Sequence, residues 1–205
     1  MANPWTEISL DIYEAHMKQD NVRQLQALNE MMHEQLSGFS VSELMILGVA
    51  GGNGLEHIDP NCRQRVYGID INEAYLQAVS KRYSHLSEVL KLLCIDLQTQ
   101  FHQLPQVEYV IADLLIEYIG IDCFQAVLHH VKPQFVSCII QIDHEHKWVS
   151  DTDYQAAFQG LQQLHQRIDE KQLIESMKEL HYSKLYEQRR ELPNHKELLR
   201  LDFRL

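Results

Sequence analysis

The stretch that decides the fold is Ile46-Leu47-Gly48-Val49-Ala50-Gly51-Gly52-Asn53-Gly54-Leu55, in which four glycines fall within seven positions. The apolar run 44–49 predicts a buried strand, and a helix is expected to begin after it, over about 54–58. Gly52 and Gly54 permit positive φ angles and close approach of a ligand to the backbone. The N–H groups of such a turn suit a carboxylate or a phosphate. The alternative is a turn that only connects two elements.

The acidic residue Asp70 ends the next apolar run, 65–69, sixteen positions after Gly54. A carboxylate at this place can accept hydrogen bonds from both hydroxyls of a ribose. It could instead cap a helix that is expected to begin near Asn72. Because a glycine turn together with a distal acid is more specific than either feature alone, the pair favours a nucleoside site.

The remainder of the chain alternates between apolar runs and helical stretches, which predicts parallel βαβ units. Asp96 and Asp113 follow two further runs, at the strand ends where ligands bind in open α/β sheets. In the tail, Pro193-Asn194 divides two extended segments, 181–192 and 196–205, which predicts a hairpin. The expected strands are 44–49, 65–69, 89–95, 109–112 and 135–142, and the expected helices are 73–84, 98–103, 120–131 and 151–180.

The N-terminal segment 5–37 carries apolar residues at helical spacing and no strand signal. Asp20 and Asn21 suggest a break and a cap between two helices, and Gly38 suggests the end of the second. The segment is therefore expected to be helical and to contribute no strand.

Reading from Gly48, the glycine turn is Gly48-x-Ala50-x-Gly52-x-Gly54, which is not the dinucleotide spacing G-x-G-x-x-G. It resembles the first motif of class I S-adenosylmethionine-dependent methyltransferases. That family usually has an acid where Gly48 stands and a glycine where Ala50 stands. Four further stretches resemble later motifs of the family: Tyr67–Asn72, Cys94–Leu97, Tyr109–Leu115 and His130–Pro133.

The resemblance implies one α/β domain with a mostly parallel seven-stranded sheet, a C-terminal antiparallel hairpin and an N-terminal helical lid. Residues 1–43 would form the lid, and residues 44–205 the S-adenosylmethionine-binding domain. By this resemblance, Asp70 would bind the ribose, Ile71 would lie beside the adenine and Asp96 would contact the amino group of the adenine. The expected cofactor-binding residues are Gly48, Ala50, Gly52, Asn53, Gly54, Asp70, Ile71, Asp96, Leu97 and Asp113.

The methyl acceptor is not specified by any motif. A sulfonium methyl group is already electrophilic, so the protein mainly binds and orients, and no catalytic residue is assigned. Tyr13, His16, Asp113 and Glu117 are candidates for the acceptor pocket, with packing, helix capping or solvation as the alternatives. The fourth motif lacks the Pro-Pro form usual for amino-methylation of nucleobases and glutamine. A methyltransferase that acts on a small molecule is the favoured function. The alternatives are a non-catalytic protein of the same fold and an oxidoreductase that uses a nicotinamide cofactor.

The net charge of −11 disfavours a nucleic acid as partner, because a field of that sign repels phosphates. No apolar run of about 18 residues and no charged-then-apolar leader occurs, so neither a membrane span nor secretion is expected. Cys94 and Cys138 lie in apolar runs and are expected in the core of a cytoplasmic protein. The sequence leaves open whether the protein is a monomer or a homodimer.

A metal site at His144-Glu145-His146 is considered and not predicted. A strand would place His144 and His146 on one face, as ligands can be. Their spacing indicates no third ligand, so no metal is expected.

Overall fold

The computed structural model describes residues 3–143 and 154–205, which form a seven-stranded sheet with the order β3-β2-β1-β4-β5-β7-β6. Strands β1 to β5 are parallel, and β7 runs antiparallel to both of its neighbours. The predicted fold class, with its C-terminal hairpin, is therefore confirmed. The strands are β1 (Glu43–Leu47), β2 (Arg65–Asp70), β3 (Leu90–Cys94), β4 (Tyr109–Asp113), β5 (Phe135–Asp143), β6 (Ser183–Glu191) and β7 (Lys196–Arg204).

The central strands are apolar throughout because helices cover the sheet on both faces. Alternate residues of β1 enter different cores: Met45 and Leu47 belong to one hydrophobic cluster, and Leu44 and Ile46 to the other. Seven α-helices accompany the described strands: α1 (Leu10–Lys18), α2 (Gln24–Gly38), α3 (Glu73–Arg82), α4 (Leu97–Gln100), α5 (Ile116–Ile119), α6 (Ile121–Val131) and α7 (Glu170–Glu179).

The helices form two layers. Phe124 of α6 and Met177 of α7 pack in the cluster of Met45, whereas Leu36 of α2 and Val79 of α3 pack in the cluster of Leu44. Helices α1 and α2 also pack together on residues of β5 and β7, in a third cluster that includes Met17, Met31, Ile139 and Leu198. The N-terminal segment therefore lies against the sheet. Within residues 3–143 and 154–205, no helix is long and apolar enough to span a membrane.

The prediction of a helix over about 54–58 is wrong, because the glycines are followed by a single 3-10 turn, Leu55–His57. Pro60 explains the early end, since the residue before a proline is biased away from helical angles. The single helix expected over 151–180 is also wrong. A 3-10 helix, Gln155–Gln163, is followed by non-helical chain up to Asp169, whose side chain caps α7. Residues 151–153 lie outside the described residues.

Three smaller expectations need correction. Helix α2 begins after Arg23, which has a left-handed φ of 49° and no capping side chain, so neither Asp20 nor Asn21 is its cap. Cys94 is exposed, whereas Cys138 is buried as expected. The helix expected over 98–103 is a single turn of α-helix, α4, followed by a 3-10 turn.

Candidate functional site

A cleft of about 760 Å³ lies at the carboxyl ends of the parallel strands. This is the edge of the sheet at which ligands bind in open α/β folds. Most of the residues that the sequence predicts for a cofactor meet there. The cleft is lined by Gly48, Ala50, Asp70, Ile71, Asp96, Leu97 and Asp113, together with Asn3, Trp5, Tyr13, Ile69, Tyr75, Ile95, Gln98, Leu114, Leu115, Tyr118, Ile119 and Leu164.

Asp70 is fixed by the backbone on both sides of its carboxylate. Its Oδ2 accepts a hydrogen bond from the N–H of Ala50 at 2.8 Å, and its Oδ1 accepts one from the N–H of Asn72 at 2.8 Å. Asn72 itself caps α3, which removes the interpretation of Asp70 as that helix's cap. Burial raises the pKa of Asp70 above its usual value. The carboxylate is therefore held in a defined orientation at the cleft.

The glycines of the turn divide into two groups. Gly48, with φ of +69°, lines the cleft, as does Ala50, which adopts a left-handed φ of 45°. Gly52 and Gly54 also have positive φ, but a Cβ atom would lie 2.8 Å from Tyr83 at the first and 2.5 Å from Met32 at the second. Packing and backbone angle therefore already favour glycine at these two positions, and their predicted contact with a cofactor stays a prediction.

Asn53 points to the N-terminal helices. Its side chain donates to the carbonyl of Leu25 at 2.9 Å and accepts from Asn29 at 3.1 Å. It lines an adjoining cavity of about 580 Å³ that also includes Gly48, Ala50 and Asp113. Asn53 thus links the glycine turn to α2, and its predicted contact with a cofactor stays a prediction.

Asp96 has a structural role in addition to its place in the cleft. Its Oδ1 accepts from the N–H of Gln98 at 3.0 Å, which caps α4, and its Oδ2 accepts from the hydroxyl of Thr99 at 3.0 Å. The neighbouring Leu97 is buried at the same cleft. Asp96 and Leu97 therefore line the cleft together, with the carboxylate oriented by the start of α4, and their contact with a cofactor stays a prediction.

Asp113 combines burial with an incomplete set of hydrogen bonds. Its Oδ1 accepts from the side chain of Gln35 at 2.8 Å, whereas its Oδ2 has no partner among the described residues. Burial raises its pKa to about 7. It does not cap α5, whose start at Leu115 has no side-chain cap. Gln35 also donates to Ser137 at 2.9 Å, so the carboxylate is tied to the sheet interior.

A second cavity, of about 570 Å³, adjoins the cleft. The two share four residues of their walls, so the shared wall marks where two ligands would meet. Tyr13, His16 and Glu117 line the second cavity, whereas Asp113 lines the cleft and the glycine-turn cavity, and their role in an acceptor pocket stays a prediction. The shared residues are Trp5, Tyr13, Leu114 and Tyr118, and the remaining lining residues are Met17, Gln24, Gln141, Phe158, His165 and Lys196.

Glu117 is a buried carboxyl group in this cavity, with 3% of its surface exposed. Its Oε1 accepts from the backbone N–H of Gln141 at 2.8 Å, and its Oε2 has no hydrogen-bond partner in the part of the chain that the structure describes. Burial raises its pKa to about 7. Burial lowers the pKa of His16 to about 4, so this imidazole is neutral near pH 7.

Sequence analysis missed most of the second cavity. Trp5 packs edge-on against Tyr118, with ring centroids 4.9 Å apart, and against Tyr13 at 5.8 Å. Lys196 is buried and pairs with Asp143 at 3.4 Å. Trp5 offered a signal, because a tryptophan next to an amphipathic helix often packs on a binding surface. Lys196 gave no signal, since a lysine in an edge hairpin is usually solvated.

Among residues 3–143 and 154–205, no group of three or more histidine, cysteine or acidic side chains is placed to hold a metal ion. The His144-Glu145-His146 stretch lies outside the described residues.

The sheet order, the hairpin and the cleft define the fold of the Rossmann-like, S-adenosylmethionine-dependent methyltransferases. Magnesium protoporphyrin IX methyltransferase from Synechocystis PCC 6803, solved with bound SAH, is similar with a TM-score of 0.67 and 11% identity, over 95% of this chain and 92% of that one. Cyclopropane synthase MmaA2 from Mycobacterium tuberculosis has a TM-score of 0.65 and 11% identity, over 93% and 88%.

A structure described as a [4+2]-cyclase, SpnF, is also similar, with a TM-score of 0.67 and 11% identity over 89% of this chain and 82% of that one. No protein-family model matches the sequence, and no curated protein matches it significantly. At these identities the likeness establishes the fold.

Proposed function

We propose that the protein is an S-adenosylmethionine-dependent methyltransferase that transfers a methyl group to a small molecule. The observation that carries the proposal is the carboxylate of Asp70, which two backbone N–H groups hold at the cleft 2.8 Å from the glycine turn. A fixed carboxylate at the end of the second strand is suited to the two hydroxyls of a ribose.

The other cleft residues fit the remaining parts of the cofactor. Ile71 and Leu97 would contact the adenine, with Asp96 near its exocyclic amino group. Asp113 offers a buried carboxylate oxygen without a partner, which suits one of the two cationic groups of S-adenosylmethionine, the ammonium or the sulfonium. The cofactor, when bound, supplies an electrophilic methyl group.

The N-terminal residues 1–43 are proposed as a lid. Trp5 and Tyr13 contribute to both cavities, and the carbonyl of Trp5 accepts a hydrogen bond from Asn72 at 2.9 Å. These contacts support a lid over the junction of the cavities, which would exclude water and orient the acceptor.

The first test is calorimetric titration of the purified protein with S-adenosylhomocysteine, with NADH as the control ligand. Micromolar binding of the first and none of the second is expected. Labelled S-adenosylmethionine and a pool of metabolites should then give a labelled product. Binding of NADH alone would overturn the proposed cofactor.

A non-catalytic protein of the same fold is the second candidate. The observation that favours it is the altered first motif, in which Gly48 stands in place of an acid and Ala50 takes a left-handed φ usually left to glycine. Binding of S-adenosylhomocysteine, with no methyl transfer to any member of broad acceptor pools, would support this second candidate against the enzyme.

A further inference from the structure

The second cavity combines aromatic walls with a buried acid. Trp5, Tyr13, Tyr118 and Phe158 supply the rings, and Glu117 supplies a carboxyl group at 3% exposure. Aromatic faces attract cations, and they do so more strongly where water is excluded. Buried polar groups are normally hydrogen-bonded, so a buried carboxylate oxygen without a partner needs an explanation that apolar packing does not supply.

The charges around Glu117 favour a positively charged guest. Asp113 and Asp143 act on it as negative neighbours. The cation that lines the cavity, Lys196, pairs with Asp143, and His16 is neutral near pH 7. His165 also has a pKa lowered by burial, and burial raises the pKa of Tyr13 and Tyr118, so both phenols stay neutral. Among the described residues that line the cavity, no cation is therefore dedicated to Glu117, and a cationic ligand would stabilise its ionised form.

The position of Glu117 relative to the cleft is also informative. Leu114 and Tyr118, which flank it on the chain, line both cavities. The Oε1 atom is held by the backbone of Gln141, so Oε2 is the oxygen left for a ligand. Since Glu117 lines the second cavity between Leu114 and Tyr118 on the chain, a group bound to it would lie beside the wall shared with the proposed cofactor cleft.

We propose that the methyl acceptor is a small amine with an apolar or aromatic body, and that Glu117 is the base that deprotonates its ammonium group. This inference rests on the proposed methyltransferase function. Glu117 accepts a proton from the ammonium and becomes a neutral carboxylic acid. The freed nitrogen lone pair then forms a bond to the methyl carbon. The bond between that carbon and the sulfonium sulfur breaks, and its electron pair stays on sulfur. The products are a methylated ammonium ion and a neutral thioether, and Glu117 returns its proton to water after product release.

The pKa of Glu117, raised to about 7 by burial, suits this role, because a base works best near the operating pH. The value of kcat/KM should rise as the pH increases through that pKa. It should fall again only when the amine itself loses its proton, since the protein is proposed to bind the ammonium form.

The test is binding to the full chain saturated with S-adenosylhomocysteine, using amines that are each matched by the alcohol and the carboxylate of the same skeleton. One such set is phenethylamine, phenethyl alcohol and hydrocinnamate. Amines are expected to bind, and Glu117→Gln should weaken them at least about tenfold while S-adenosylhomocysteine binds as before. The control is Glu175→Gln, the same chemical change at an exposed position of α7, which should alter neither affinity.

Preference for alcohols or carboxylates overturns the inference, as does equal binding of amines to the wild type and Glu117→Gln. Absence of binding by every member of the panel also counts against it, provided that S-adenosylhomocysteine binds. Failure of S-adenosylhomocysteine itself to bind points to the proposed function instead. In turnover with an amine that binds, Glu117→Gln should lose the rise of kcat/KM near pH 7, an effect that a merely structural role would not produce.

Discussion

The two cavities are built in different ways. The cleft is made where short strand-end stretches converge: the glycine turn, Asp70-Ile71 and Asp96-Leu97. The second cavity is assembled from side chains far apart on the chain, from Trp5 and His16 to Glu117 and Lys196. Parallel strands bring their carboxyl ends together whatever their side chains are, so the topology alone creates the first site. The second cavity depends on how the N-terminal segment and the C-terminal hairpin pack against the sheet.

Asp70 of the cleft and Glu117 of the second cavity differ in how their oxygens are satisfied, whereas Asp113, which also lines the cleft, resembles Glu117 in having one oxygen without a partner among the described residues. In the cleft, both oxygens of Asp70 accept backbone hydrogen bonds. In the second cavity, Glu117 leaves one oxygen without a partner within the described chain, at the cost of a raised pKa. A satisfied carboxylate is oriented before a ligand arrives, whereas an unsatisfied one is completed by the ligand. Substitution of Asp70 should therefore mainly change ligand affinity, whereas substitution of Glu117 should also change how the free energy of unfolding depends on pH.

The largest effect is expected from Gly54→Val, which tests whether the glycine turn is required for packing. The new side chain must adopt a φ of +90°, and its Cβ atom would lie 2.5 Å from Met32 on α2. Strain and overpacking together should lower the free energy of unfolding by about 3 kcal/mol or more, as measured by urea denaturation. Gly38→Ala is the control, because its Cβ would meet Arg200 at an ordinary 3.5 Å. A stable Gly54→Val protein that only binds its cofactor weakly would restore the ligand-approach explanation.

Asp70→Asn should mainly affect the proposed cofactor. Loss of charge-assisted hydrogen bonds to a ribose should weaken S-adenosylhomocysteine by about 10- to 100-fold, measured by calorimetry. The amide also places a donor against the N–H of Ala50 or Asn72, so the melting temperature must be followed in parallel. Asp122→Asn, at an exposed position of α6, is the matched control. Unchanged affinity for S-adenosylhomocysteine would show that the ribose is not bound at Asp70.

Glu117→Gln should stabilise the unliganded protein at alkaline pH. The pKa of Glu117 is raised in the folded state, to about 7, so the folded protein keeps a proton that the unfolded chain has already lost. Stability from this group therefore falls as the pH rises from its usual pKa through 7. At about pH 8 the variant should be more stable by on the order of 1–3 kcal/mol, and at about pH 5 the difference should vanish. A less stable variant at alkaline pH would contradict the assigned burial.

The wild-type profile of stability against pH is not sufficient by itself, because other titratable groups also contribute to it. Asp113 contributes in the same direction as Glu117, since its pKa is also raised to about 7. His16 acts oppositely: its pKa is lowered to about 4, so the stability it contributes is lost as the pH falls below its usual value. Subtracting the Glu117→Gln profile from that of the wild type isolates one carboxyl group.

The cleft could be predicted from sequence because its determinants are local. A glycine turn after an apolar run and an acid at the next strand end are separated by less than one βαβ unit. At Gly52 and Gly54 the sequence cannot identify the neighbouring group, because a positive φ and a close neighbour favour glycine whether that neighbour is a ligand or a side chain. In the structure, Tyr83 and Met32 are close neighbours of these two positions.

The second cavity could be predicted only in part, for a physical reason. Tyr13 and His16 share a helix face, and Glu117 follows a strand end, so their proximity follows from the expected topology. Lys196 reaches the same cavity through the pairing of β7 with β5, where it lies opposite Asp143. A hairpin register depends on side-chain packing along two strands, which a single sequence does not specify.

The smallest effect is expected at the contact that joins helix α1 to the glycine turn. Arg82, at the end of α3, pairs with Glu14 of α1 at 2.7 Å and donates to the carbonyl of Gly51 at 2.7 Å. Arg82 is 42% exposed and Glu14 is 24% exposed, so solvent and salt screen the pair. Glu14→Gln should therefore change the free energy of unfolding by at most about 1 kcal/mol, and less at high ionic strength.

A double-mutant cycle with Arg82→Gln would separate the pair energy from the loss of either side chain alone. A small coupling energy would mean that the lid is held by its apolar contacts, since Met17 and Met31 are buried against β5 and β7. A coupling well above about 1 kcal/mol would exceed what an exposed pair usually contributes. In that case the ion pair itself holds α1 over the glycine turn, and the two cavities share one closing element instead of being independent sites.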